Sequence, residues 1–158
     1  MQLTVSIVRF NTSFRSGVDF YSVVLPNEVE HETKKFFSRF QTDEFALHIR
    51  EMRALIQTIG VRGNALLRFF REEDNAYALP GHDYSRPKFR LYCVRCCPTV
   101  VILGNGGVKT SQFARDSPDC YPHLLLMDAI ATAFNDQGID CCNLPRLPLP
   151  FSLTITLP

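Results

Sequence analysis

The feature that most constrains the fold is a pair of strand-like apolar runs separated by a very short turn. Lys88–Arg95 and Thr99–Leu103 flank Cys97-Pro98, and such a short spacing predicts an antiparallel hairpin. In the first run Phe89, Leu91 and Cys93 share one face, while Arg90 and Tyr92 share the other. The run from Val100 to Leu103 is apolar on both faces, which is typical of a central strand covered from both sides.

Further strands are expected at both ends of the chain and ahead of the hairpin. Leu3–Phe10 alternates apolar and polar residues, and Val18–Leu25 is a second candidate. Ala65–Arg71 is predicted as a strand, followed by a loop over residues 75–87. After the Pro-rich stretch of residues 143–150, the last six residues alternate like an edge strand that can pair with the N-terminal one.

Three helices are predicted between and after these strands. Asn27 is a candidate N-cap for a helix reaching Phe40, with Glu30 at capping-box spacing. A second helix starts at Thr42 or Asp43 and stops at Gly60; its apolar stripe of 3.6-residue period is Phe45, Ile49, Met52, Ile56 and Ile59. A third covers about Asp119–Phe134, with Pro122 tolerated in its first turn.

These elements predict an α+β fold in which two helices from the N-terminal half pack on a mainly antiparallel sheet of five or six strands, with one helix in the C-terminal half. A chain of 158 residues that is 46% hydrophobic and 21% charged is expected to form a single globular domain over residues 1–158. The longest apolar run falls short of the roughly 18 residues that a membrane span needs. The N-terminus lacks the pattern of a secretion signal, so a cytoplasmic location without membrane contact is expected.

The six cysteines include two vicinal pairs, Cys96-Cys97 and Cys141-Cys142. Neighbouring strand residues point to opposite faces, so each pair is awkward as a bridge, and reduced thiols are the preferred interpretation in an intracellular protein. Cys93 and Cys96 form a C-x-x-C, which Cys120, His82 or His123 could complete as a zinc site. The sequence contains no second C-x-x-C motif to supply the remaining ligands, and we expect no metal or other cofactor.

Several catalytic motifs are absent from the sequence. Gly104-Asn105-Gly106-Gly107 precedes Lys109-Thr110, but the spacing is not that of a phosphate-binding P-loop, so a mobile turn is predicted. The serines lack a nucleophile-elbow context. Glu72-Glu73-Asp74 follows a predicted strand as a solvated turn does.

Basic and aromatic side chains remain as the candidate site. The net charge is only +1, yet residues 60–116 carry +4 and the rest of the chain carries −3. If the predicted strands pair, an exposed sheet face would gather phosphate-binding cations and a Tyr able to stack on a base: Arg68, Arg71, Lys88, Arg90, Tyr92, Arg95 and Lys109. The alternative is a solvated sheet face on which the charges are scattered.

The order of these elements resembles the RelE/ParE-like superfamily of bacterial type II toxin-antitoxin toxins over residues 43–134. A helical hairpin precedes a strand carrying Arg, a strand Arg90-Leu91-Tyr92, a hydrophobic strand ending in Gly104, and Lys109-Thr110 before a closing helix. The added segments are residues 1–42, with a strand hairpin and a helix, and residues 143–158, the Pro-rich tail with its terminal strand.

The resemblance implies a metal-independent endoribonuclease that cleaves messenger RNA on the ribosome and is neutralised by an antitoxin protein. It implies that Arg68 or Arg71, with Arg90, holds the phosphate. Lys109 is implied as general base or charge stabiliser, and Tyr92, Lys88 and Arg95 as substrate-binding residues. Where the family has a Tyr or His near the end of its last helix, this chain has Phe134-Asn135. A non-enzymatic relative that binds an antitoxin or a cellular target is therefore the alternative.

Overall fold

A computed structural model describes residues 1–81 and 89–158 of the chain. Three α-helices and seven strands occur in these two segments. The strands are β1 Gln2–Arg9, β2 Asp19–Val24, β3 Arg71–Glu73, β4 Ala76–Leu79, β5 Phe89–Cys97, β6 Val100–Val108 and β7 Phe151–Thr156. The helices are α1 Glu32–Arg39, α2 Ala46–Arg62 and α3 Tyr121–Asp136. Four short 3-10 segments lie at Asp43–Phe45, Leu67–Phe69, Ala114–Asp116 and Cys141–Arg146.

The strands form one mixed sheet in the order β3-β4-β5-β6-β2-β1-β7. The α+β class is confirmed and most strand pairs are antiparallel as predicted, but the sheet has seven strands rather than five or six, and β2 and β6 run parallel to each other. β4 lies in a stretch predicted as loop, and β3 begins only at Arg71, the last residue of the predicted strand Ala65–Arg71. β5 and β6 form the predicted hairpin, and β7 pairs with β1 as expected for the alternating C-terminal residues.

Each face of the sheet carries its own hydrophobic core. On one face α1 and α2 pack on a core that includes Phe36, Phe40 and Phe89, whose rings contact one another. On the other face α3 packs Met127, Ile130 and other side chains against residues of β1, β2, β5, β6 and β7. Because α1 and α2 lie on the face opposite α3, residues that alternate along β5 belong to different cores.

Local corrections concern where elements start and stop. Residues 65–70, predicted as strand, instead contain a 3-10 turn, since consecutive Phe69 and Phe70 are both buried in the α2-side core. α1 begins after His31, which caps it, because Asn27 has a φ of 63°, outside the extended conformation of an N-cap. α2 continues past Gly60 to Gly63, whose φ of 69° ends it; an added Cβ at Gly60 would collide with the Phe14 ring.

The glycine segment predicted as a mobile turn is part of β6. A Cβ at Gly104 would lie 2.5 Å from the Met127 sulfur, and one at Gly107 would lie 2.4 Å from the Asp119 carbonyl oxygen. These glycines therefore let α3 and the segment leading into it approach the strand.

The cysteines differ most from expectation. Cys96 is bonded to Cys141 and Cys97 to Cys142, so the prediction of reduced thiols is wrong for these four residues. A register shift between Arg95 and Cys97 interrupts the alternation of β5, so that all four cysteines pack on the α3 side. Cys93 and Cys120 are free and buried.

Candidate anion-binding site

Arg90 is the centre of the candidate site. It lies on β5 opposite Gly107, two residues from Tyr92, so both side chains face the α3 side of the sheet. Arg90 is 1% exposed, its Nη1 donates to the Phe89 carbonyl oxygen at 3.2 Å, and its Nε has no partner among residues 1–81 and 89–158. Guanidinium groups are rarely buried without an anion, so this position favours an anionic ligand.

Arg71 reaches the same place from the edge of the sheet. β3 pairs Arg71 with Ala78, and β4 pairs Ala78 with Tyr92, so Arg71 belongs to the α3-facing row. Its Nε donates to the Pro80 carbonyl oxygen at 2.9 Å, which fixes the guanidinium. Burial lowers the pKa of Arg90, and the positive charge of Arg71 lowers that pKa further.

Lys109 follows β6 and completes the group of cations. Burial is the main cause that lowers the pKa of Lys109, and Arg90 and Arg71 add to the effect by repulsion. Glu73, two residues beyond Arg71, acts in the opposite direction on Lys109 and on Arg90. Three cations and one carboxylate thus interact on one face; we call Arg71, Glu73, Arg90 and Lys109 the Arg90 cluster.

Two neutral groups adjoin the cluster. Burial raises the pKa of Tyr92, and the nearby Cys120 thiol raises it further. Burial likewise raises the pKa of Cys120 itself. Both groups therefore keep their protons at neutral pH. With a neutral Tyr and thiol, the Arg90 cluster has a formal charge of +2, which suits a phosphate.

Other predicted site residues lie elsewhere. Arg68 is exposed, with its guanidinium 5.3 Å from the Phe69 ring centroid. Arg95 shares the opposite face of β5 with Leu91 and Cys93. Its Nε donates to the Ala65 carbonyl oxygen at 2.5 Å. Lys88 lies outside the described residues. Arg71, Arg90, Tyr92 and Lys109 are thus brought together, whereas Arg68 and Arg95 are not.

Sequence reasoning missed two residues of this region. The sequence pattern predicts a solvated turn for Glu73 and indicates for Cys120 only a candidate role as a zinc ligand. The signal for Glu73 was its i, i+2 spacing from Arg71, which places both on one face once residues 71–73 are known to be a strand. Nothing in the sequence indicated that Cys120 lies beside Tyr92.

The C-x-x-C of Cys93 and Cys96, considered above as an alternative, does not form a zinc knuckle. Cys93 lies in the core under α1 and α2, while Cys96 is bridged on the α3 side. In this form of the protein no group of three or more His, Cys, Asp or Glu within the described segments could hold a metal ion. Among the same residues, no helix is long and apolar enough to cross a membrane.

Comparison of the chain with protein-family models, with curated proteins and with solved structures finds no match.

Proposed function

We propose that the protein is a metal-independent endoribonuclease of RelE-like type that cleaves messenger RNA, with the ribosome as the site of action. The observation that carries the proposal is the buried guanidinium of Arg90, which lies with Arg71 and Lys109 and forms no salt bridge with a carboxylate of the described residues, although the charge of Glu73 acts on it. A phosphodiester would supply an anion for this group. The order of helical hairpin, antiparallel strands, Lys109 and closing helix, on which the resemblance rests, adds support.

The proposed chemistry assigns one role to each charged group. The 2′-hydroxyl of the substrate attacks the adjacent phosphorus, and the bond to the 5′ oxygen of the next nucleotide breaks. Arg71 and Arg90 stabilise the negative charge of the crowded phosphorane. Glu73, the only carboxylate of the cluster, takes the 2′-hydroxyl proton, and protonated Lys109 delivers a proton to the leaving oxygen. The products carry a 2′,3′-cyclic phosphate and a 5′-hydroxyl.

Induced expression in a bacterial host tests the proposal. Wild-type protein is expected to arrest growth and to fragment messenger RNA, and protein freed of metal by dialysis against a chelator is expected to cut messenger RNA on translating ribosomes. Lys109→Ala is expected to slow cleavage by about 100-fold or more, since it removes a proton-transfer group. Arg68→Ala is the matched control, because Arg68 is exposed and outside the cluster. Equal cleavage by both variants, or none by the wild type, contradicts the proposal.

A non-enzymatic role through a protein partner is the second candidate. The observation in its favour is that Arg90 and Tyr92 are 1% and 0% exposed, so a substrate must reach a site that is closed in this form of the protein. Growth arrest by the wild type with intact messenger RNA, together with a protein bound at stoichiometric amounts, would favour this candidate over the nuclease.

A further inference from the structure

The four bridged cysteines form one compact group rather than two disulfide crosslinks at separate places. The Cα atoms of Cys96 and Cys141 are 5.6 Å apart, and those of Cys97 and Cys142 are 5.9 Å apart. Consecutive Cα atoms are about 3.8 Å apart, so the four Cα atoms outline a quadrilateral of roughly 4 by 6 Å. All four side chains pack on the α3 side of the sheet, so the two bridges lie next to each other on the same side.

Stability alone does not account for the second bridge. Both bridges connect the same two places in the chain, each with a sequence separation of 45 residues. Once one bridge has closed this loop, the other closes only a ring of a few residues and removes little further freedom from the unfolded chain. Two vicinal pairs do provide something that one bridge cannot, namely four cysteine side chains next to one another on one side of the sheet.

We propose that, when reduced, Cys96, Cys97, Cys141 and Cys142 form a tetrathiolate site for a thiophilic metal ion such as Zn²⁺. Four cysteine thiolates are a standard ligand set for structural zinc, with Zn–S distances of about 2.3 Å, which separates neighbouring sulfurs by about 3.8 Å. The sulfurs of each bonded pair have only to separate to that distance, which side-chain rotation allows at these Cα separations. The bulge of β5 brings the two vicinal thiols of Cys96 and Cys97 to the same side.

The interconversion balances with a dithiol reductant. Each protein disulfide takes two electrons and two protons from one dithiol, which leaves as a disulfide, so two dithiols convert the bridged protein to four thiols. Zn²⁺ then displaces up to four protons and gives a tetrathiolate complex of charge −2. All four cysteines are partly exposed, so reductant and metal can reach them, whereas Cys93 and Cys120 are buried.

The site would keep the C-terminal segment attached in either redox state. The 3-10 segment Cys141–Arg146 connects α3 with β7, and its Leu144 is fully buried in the α3-side core. Asp140 holds the start of this segment through a 3.0 Å hydrogen bond from the Cys142 amide to its carboxylate. Disulfides link the segment to β5 under oxidising conditions, and the metal would do so under reducing ones.

Metal analysis of the whole protein tests the inference. Wild-type protein is reduced with a phosphine, supplied with Zn²⁺ and passed through a desalting column. One zinc per chain is expected for the reduced protein and none for the oxidised protein. Zinc should also protect four thiols from alkylation, and Co²⁺ in its place should give the visible bands of a tetrahedral thiolate complex.

Two variants keep the outcome decisive. Cys97→Ser with Cys142→Ser retains the Cys96–Cys141 bridge, and hence the anchored segment when oxidised, but leaves only two thiolates and should lose zinc when reduced. Cys93→Ala, in the opposite core, should bind zinc like the wild type. If reduced wild type unfolds without metal, zinc should restore its circular dichroism. Failure to retain zinc or to refold with it, or equal zinc in the double variant, overturns the inference.

Discussion

Among single residues, Arg90 is the one whose charge the proposed function needs but whose burial lowers the stability of the fold. Its side chain is buried and its Nε has no partner among the described residues, so the folded protein bears the cost of desolvating a charge. We predict that Arg90→Met raises the free energy of unfolding by about 1–2 kcal/mol, since an apolar side chain of similar length removes that cost. Chemical denaturation measures the change, and RNA cleavage should be lost.

Arg95→Met is the control for this comparison. Arg95 is on the same strand, but its Nε donates to the Ala65 carbonyl oxygen. Removing that donor should lower the free energy of unfolding by about 1 kcal/mol. Destabilisation of several kcal/mol by Arg90→Met would mean that Arg90 is paired in the folded protein, and the argument for an anionic ligand would fail.

His123 gives a second prediction at this scale, for the dependence of stability on pH. Burial lowers the pKa of His123 below its ordinary 6.5, and Arg39 and Lys35 also lower it, against the raising effect of Glu32 and Asp119. The unfolded chain therefore takes up a proton at a higher pH than the folded one. The free energy of unfolding should fall as pH drops below about 6.5 and level off below the folded pKa.

The background for this measurement is His31→Asn. Burial also lowers the pKa of His31, and His31 caps α1 by accepting from the Lys34 amide, a role that Asn can keep. In that background, His123→Gln should flatten the fall in unfolding free energy between pH 7 and 5. An unchanged slope would show that His123 titrates normally in the folded protein.

Among the secondary-structure elements, β6 and α3 pack so closely at the C-terminal half of β6 that its glycines have no space for a side chain. We predict that Gly107→Ala lowers the free energy of unfolding by about 3 kcal/mol, because its Cβ would lie 2.4 Å from both the carbonyl oxygen and the Oδ2 of Asp119. Asp119 also accepts from the Val108 amide at 2.8 Å, so it cannot move away without losing that bond.

Gly138→Asn serves as the comparison for the strand glycine. Gly138 has a φ of 66°, which Asn tolerates, and an added Cβ meets nothing within 4 Å. This substitution should change the free energy of unfolding by less than about 1 kcal/mol. Thermal or chemical denaturation of both variants provides the test, and equal stabilities would contradict the close packing of β6.

The same elements indicate what sequence reasoning can and cannot reach. Periodicity and a short turn were enough for the β5–β6 hairpin, the apolar stripe of α2 and the strand character of β7, because these depend on local patterns. The pairing of β7 with β1 joins the two ends of the chain and was expected only from the edge-strand pattern of the C-terminal residues. The disulfides and the strand character of Gly104–Gly107 depend on residues distant in sequence. The register shift at the end of β5 turns the cysteines to one side, and the approach of α3 requires glycines in the strand. Neither feature can be recognised from the neighbouring sequence.

In the whole molecule, the basic segment and the acidic remainder of the chain correspond only in part to separate basic and acidic surfaces. The segment of residues 60–116 carries +4, but those of its cations that the structure describes do not form one surface. Arg71, Arg90 and Lys109 face α3, Arg95 faces the other core, and Arg115 lies over the Phe113 ring. Sequence reasoning found the residues of the cluster because it placed Arg90 and Tyr92 on one face, but it could not exclude Arg68 or Arg95.

This distribution leads to a prediction for the salt dependence of RNA binding. With a net charge of +1 and one compact group of cations among the described residues, the protein should engage two or three phosphates. A plot of log binding constant against log salt concentration, measured with an uncleavable 2′-O-methyl RNA, should have a slope of about −1.4 to −2.1. Lys109→Ala should reduce the slope by about 0.7, whereas Arg68→Ala should leave it unchanged, since only Lys109 belongs to the cluster. A slope steeper than about −4 would indicate a wider basic surface, and equal slopes for the two variants would place the RNA away from Arg90.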